Sequence, residues 1–147
     1  MADVVFQGFY NEVPAPGDTP DLRAILVMGS STILSEPAAE TVGDFTLLDE
    51  FDGIGYARYD CAGVTVTYQT GTTPDQVEIN FTDGDDVFGD PVAAGGDDIM
   101  AMLVVRNVDG GNGDIPWVAV DVSDVQANSG KLGLTLPATG VLVGKQA

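Results

Sequence analysis

Carboxylates are the side chains with the most chemistry to offer in this chain of 147 residues, where 23 Asp and Glu stand against five Lys and Arg and there is no His. Six of them, Asp83, Asp85, Asp86, Asp90, Asp97 and Asp98, fall within one stretch that carries no basic residue and is interrupted by Gly84, Gly89, Gly95 and Gly96. Oxygen-rich loops bind calcium when the ligands recur at fixed positions and a glycine permits the sharp turn between them. Counted from Asp83, the EF-hand pattern fails, because Val87, Phe88 and Ala94 occupy a ligand, the glycine and the bidentate glutamate positions. Asp109-Gly110-Gly111-Asn112-Gly113-Asp114 has the composition of the calcium-binding glycine-rich nonapeptide, but Asp114 comes one residue early and the motif does not repeat. Both acidic clusters read as solvated turns, residues 83–98 as a loop, and no metal or other cofactor is expected.

Catalysis lacks its usual parts. Without His there is no ordinary general base, proton switch or imidazole ligand. Ser30, Ser31, Ser35, Ser123 and Ser129 stand in no G-x-S-x-G turn. A pair of acids could in principle cleave a glycoside, yet no acid here is flanked by the aromatics that line sugar sites. Neither a P-loop nor a dinucleotide-binding glycine motif occurs. The chain reads as a protein that is not an enzyme.

The net charge of −18 opposes any grip on nucleic-acid phosphates or anionic lipid. The longest apolar run, from Ile99 to Val105, is far short of the ~20 residues of a membrane-spanning helix. The first basic residue is Arg23, so the start has neither the basic nor the apolar region of a signal peptide. A soluble protein made in the cytoplasm, with no nucleic-acid or membrane partner, is the expectation. The single Cys61 reads as a small buried hydrophobe.

What must position these residues is a set of strands. Nineteen Gly and eight Pro punctuate short apolar runs, the pattern of strands joined by turns. Val64–Tyr68 and Val77–Thr82 alternate, and Gly71–Asp75 between them carries turn chemistry, so a hairpin with a longer loop is predicted. Leu22–Met28 and Ile99–Val105 are nearly continuous in apolar residues, as in strands covered on both faces. Trp117–Val122, Leu132–Leu136 and Gly140–Val143 supply further strands, with Asp109–Gly113 and Asn128–Gly130 as turns. The one helix candidate follows Ser35, where Glu36, Pro37 and Glu40 suit a first turn and Gly43 a stop. The sum is an all-β chain: a single antiparallel β-sandwich or barrel-like domain with at most one short helix and an extended N-terminal arm.

Residues 1–20 divide from the β-domain of residues 21–147, because Pro14, Pro16, Gly17 and Pro20 form a stiff spacer. Val4, Val5, Phe6, Phe9 and Tyr10 are costly to leave in water. Two readings stand side by side: an edge strand of the domain's own sheet, or an arm that adds a strand to a capsid protein or neighbouring subunit. Charge is uneven as well. All the acids lie within residues 1–124, while residues 125–147 hold only Lys131 and Lys145, so the C-terminal strands are the least repulsive surface.

From Leu22 to Val143 the order of features resembles a group of small structural proteins of tailed-phage virions. The resemblance rests on an opening strand Leu22-Arg23-Ala24-Ile25-Leu26-Val27 and a glycine-aromatic turn within Asp49-Glu50-Phe51-Asp52-Gly53-Ile54-Gly55-Tyr56-Ala57-Arg58. It continues through Asp85-Asp86-Val87-Phe88 before the long apolar strand, then Pro116-Trp117-Val118-Ala119-Val120-Asp121 and the close Ala138-Thr139-Gly140-Val141-Leu142. Arg58-Tyr59-Asp60 stands where that group often has a second glycine pair. The resemblance implies a decoration, or cement, protein on the outer surface of a capsid. It would bind the major capsid protein, with its charge of −18 facing solvent outside the DNA-filled shell, and would act as a homotrimer. The alternatives are a tail, connector or fibre-base subunit and, in a different class, an acidic β-sandwich module that binds a small ligand or sugar.

Overall fold

The two longest apolar runs form the centre of the molecule. In the computed structural model, which describes residues 3–69, 76–137 and 141–145, β1 (Val4–Val5) and a single helical turn α1 (Gln7–Tyr10) precede β2 (Leu22–Met28). Then follow β3 (Tyr59–Asp60), β4 (Thr65–Gln69), β5 (Gln76–Asn80), β6 (Gly84–Val92), β7 (Ile99–Arg106), β8 (Ile115–Val125), β9 (Gly130–Leu134) and β10 (Val141–Lys145). β2 and β7 run antiparallel from Leu22 opposite Arg106 to Met28 opposite Ile99. They lie inside a five-stranded sheet of order β1-β8-β7-β2-β3, accompanied by a three-stranded sheet β10-β5-β4 and a ribbon β6-β9. The all-β, antiparallel architecture is the one the alternation and turn chemistry predict, and the β4–β5 pairing is there. Gly71–Asp75, the predicted turn between them, lies outside the described residues.

The central strands are apolar throughout because both faces of their sheet are covered. On one face Ala24, Leu26, Met28, Met102 and Val104 pack with Val66, Val77, Ile79, Phe81, Phe88 and Val92 from the smaller sheets. On the other, Ile25, Val27, Ala101, Leu103 and Val105 meet Phe6, Ile33, Ala39, Val42 and Phe45. That second cover is not a sheet. It is Phe6 together with the irregular segment between β2 and β3, which has two 3-10 turns, Ile33–Ser35 and Val42–Asp44.

Three expectations are corrected. No helix follows Ser35, because the acids that would open it are engaged elsewhere. Glu36 accepts from the Thr46 hydroxyl, the Thr32 hydroxyl at 2.9 Å and the Thr46 N–H at 3.0 Å, and Asp44 accepts from the N–H groups of Glu40 and Thr41, each at 3.0 Å. These bonds hold both carboxyls below the usual carboxylate range and fix the segment as a loop. Residues 83–98 are not all loop, since Gly84–Val92 forms β6 and pairs with β9. Register shifts on either side of Gly89 break its alternation: Phe88 and Val92 turn into the core, but Asp90 between them stays exposed, as do Asp85 and Asp86.

The N-terminal stretch is not a separable arm. Val4 pairs with Ala119 and Val5 with Val118, the edge-strand reading. Phe6 and Phe9 are fully buried, Phe6 edge-on to Phe45 at 5.3 Å and Phe9 edge-on to Trp117 at the same distance. The spacer crosses back to the domain as well, because the Tyr68 hydroxyl donates to the Pro14 carbonyl at 2.7 Å. Phe9→Ala is therefore expected to cost about 3–5 kcal/mol, read as a lowered urea midpoint followed by Trp117 fluorescence; an unchanged midpoint would place Phe9 outside the core.

Candidate interaction surface

Arg23, Arg58, Arg106 and Lys131 each lie against a carboxylate. Arg106 makes a two-pronged contact with Glu12, Nε to Oε1 at 2.6 Å and Nη2 to Oε2 at 2.8 Å, and the Trp117 indole N–H donates to the same Oε1 at 2.8 Å. Arg58 grips Glu50 in the same way, at 2.9 Å through both Nε and Nη2. The Tyr56 hydroxyl donates to Glu50 at 2.9 Å and accepts from the Leu26 N–H at 3.1 Å. Burial, then the Glu50 charge, pushes the Tyr56 phenol far above its usual value, so it stays a neutral donor. Arg23 lies 2.6 Å from Asp60, and Lys131 lies 3.5 Å from Asp85 on the open surface, a contact of little energetic weight. Asp52, Asp85, Asp86, Asp90 and Asp97 are exposed, so the acid excess is carried outward.

Asp114 departs from the solvated-turn expectation, since it is completely buried. Its Oδ1 accepts from the N–H groups of Val108, Asp109 and Gly110 at 2.8, 3.1 and 3.0 Å. Asp109 does the same on a smaller scale for Gly111 and Gly113. The loop is thus wound around two carboxylates, and the second Asp114 oxygen, without a hydrogen bond, faces the Arg58 guanidinium at 3.9 Å. A guanidinium at that distance would repel a metal ion. Among the described residues no group of three or more Asp, Glu, Cys or His is placed to hold one.

The residues expected to meet a partner are divided by the fold. Phe6 and Phe9 belong to the core, Val4 and Val5 are half-buried on the open edge of the large sheet, and Tyr10 is exposed. The hollow framed by Ala94–Asp98, Gln126 and Ala127 is about 310 Å³ and has no aromatic in its lining. An apolar cavity among Leu26, Phe88, Met102 and Leu132 is only about 70 Å³, below the size of ordinary ligand sites. No helix among the described residues is long and apolar enough to cross a membrane.

Of three residues that matter here, the sequence patterns pass over Glu12, give Asp114 only as part of a solvated turn and Ile54 only as part of the glycine-aromatic turn. Glu12 and Asp114 look like ordinary surface acids until distant partners reach them. Ile54 stands in the glycine-aromatic turn and is the most exposed large apolar residue described, at 85%.

Asp114→Asn places an amide where three N–H donors converge and should cost roughly 2–4 kcal/mol, measured by chemical denaturation; a near-neutral change would mean the loop does not depend on that charge. Cys61 is partly buried, and burial, then the Asp60 charge, pushes its thiol up to about 12. Its thiolate is scarce until the pH nears that value, so iodoacetamide at pH 8 should label the native protein slowly and the unfolded chain promptly. Equal rates would contradict this. Compared with known proteins, the chain matches no family model, no curated protein and no solved structure.

Proposed function

We propose that this protein is a structural subunit of a tailed-phage virion, a decoration protein that binds the outer surface of the capsid and stabilises the shell. The observation that carries the reading is the disposition of charge. Arg23, Arg58 and Arg106 are each committed to carboxylates of the same chain, while exposed acids cover β6 and the loops beside it. Such a surface is repelled by packaged DNA and keeps the free subunit soluble and apart from its copies until it meets the shell. The resemblance from Leu22 to Val143 supports the same reading.

In this mechanism the major capsid protein is the partner, and subunits gather as homotrimers at local three-fold positions. Bound subunits stabilise the assembled shell by mass action, because they bind the closed lattice and not its separated parts. The half-buried edge strand β1 and the exposed Tyr10 are the N-terminal residues left to touch a neighbour, since Phe6 and Phe9 are held inside.

Light scattering of the purified protein, followed by co-sedimentation with empty shells that lack it, tests the reading. Saturable sedimentation with the shells is expected. Assembly into rings or long tubes would favour a tail or connector subunit instead, and protein left in the supernatant would overturn the capsid assignment.

A further inference from the structure

Ile54 is 85% exposed, the most of any large apolar residue described, and its backbone is bonded into the neighbouring stretches of the chain. The Ile54 carbonyl accepts the Ala93 N–H at 2.9 Å, the Gly53 carbonyl accepts the Tyr56 N–H at 3.1 Å, and the Ala57 N–H donates to Phe88 at 3.0 Å. The turn is therefore bonded to β6 at Phe88 and to Ala93 just beyond its end. Its roots are in the core: Phe51 is buried and meets the Tyr56 ring edge-on at 5.5 Å. The two flanking glycines make the fit close. A Cβ on Gly53 would sit 2.2 Å from the Ala93 carbonyl, and one on Gly55, at φ +95°, 2.1 Å from the Pro91 carbonyl. These contacts hold the backbone on which Ile54 projects.

The surroundings say what kind of partner fits. Residues 24–57 and 59–105, which supply the turn and the strand beneath it, contain no Lys or Arg. Arg58, the nearest cation in the chain, is held by Glu50. Asp52 precedes the turn, and Asp90 lies beside the Pro91 carbonyl that Gly55 approaches; both are exposed.

We infer that Ile54 is a docking knob that enters an apolar socket rimmed by Lys or Arg on the capsid surface, with Asp52 and Asp90 meeting the rim. The inference rests on the decoration reading and names the contact that reading lacks. A rigid apolar anchor loses little conformational freedom on binding, and a few such anchors carry most of the affinity of an interface. Charges at the rim add rate and selectivity, and their effect falls with salt.

The test compares wild type, Ile54→Asp and Asp90→Lys by co-sedimentation with empty shells at low and high salt, with melting curves and solution mass for each. Ile54→Asp is expected to melt like wild type and to bind at least about tenfold more weakly. Asp90→Lys should bind more weakly at low salt and approach wild type at high salt. Ile54→Asp binding as tightly as wild type would overturn the knob while leaving the decoration reading in place. Wild type failing to sediment would overturn both. An oligomer that dissociates on Ile54→Asp while shell binding persists would assign the socket to a second copy of this chain and overturn the capsid contact.

Discussion

A sheet with apolar side chains on both faces has to be covered twice, and the rest of this chain is arranged around that requirement. β2 and β7 present Leu26 and Met102 to one side and Ile25 and Leu103 to the other. The smaller sheets close the first side with aromatic and branched residues. The second side is closed by a loop-rich segment and by Phe6, neither of which brings a hydrogen-bond ladder of its own. That segment depends on side-chain oxygens for its shape, which is why Glu36, Asp44 and Thr32 are bonded to nearby backbone or hydroxyl groups rather than left in solvent.

The same constraint explains the N-terminal stretch. Phe6 covers one face of the sheet while Phe9 and Trp117 lie in the core of the other, so the chain passes around the edge strand β1 to serve both. Glu12 then bonds to Trp117 and Arg106 together. A charge pair at that place is partly shielded from water, and its two-pronged geometry adds direction as well as attraction. The stretch is as much part of the fold as any strand.

The sequence was most legible where burial alone decides the pattern. The continuous runs of β2 and β7 and the alternation of β4 and β5 follow directly from which faces meet the core. β6 was hidden, because the register shifts around Gly89 leave Asp90 exposed between the buried Phe88 and Val92, where regular alternation would put an inward residue. The supposed helix after Ser35 failed because the residues that open helices also bond side chain to backbone, and here they use that capacity in a loop. Asp114 could not be recognised from its neighbours: three of its partners are backbone N–H groups made convergent by the turn, and the fourth, Arg58, arrives from a distant strand edge. The burial of Phe6 and Phe9 is illegible for a related reason, since prolines announce a stiff connection but not whether the segment before them folds back.

The Gly53-Ile54-Gly55 turn has a consequence for how this protein could change over generations. Its flanking positions tolerate almost no side chain, and its base is anchored in the aromatic core, so substitutions there are removed by loss of the fold. The position between them faces outward and touches little, so its identity is nearly free of structural selection. A lineage can exchange that one residue and alter what the surface recognises while the domain beneath it stays the same.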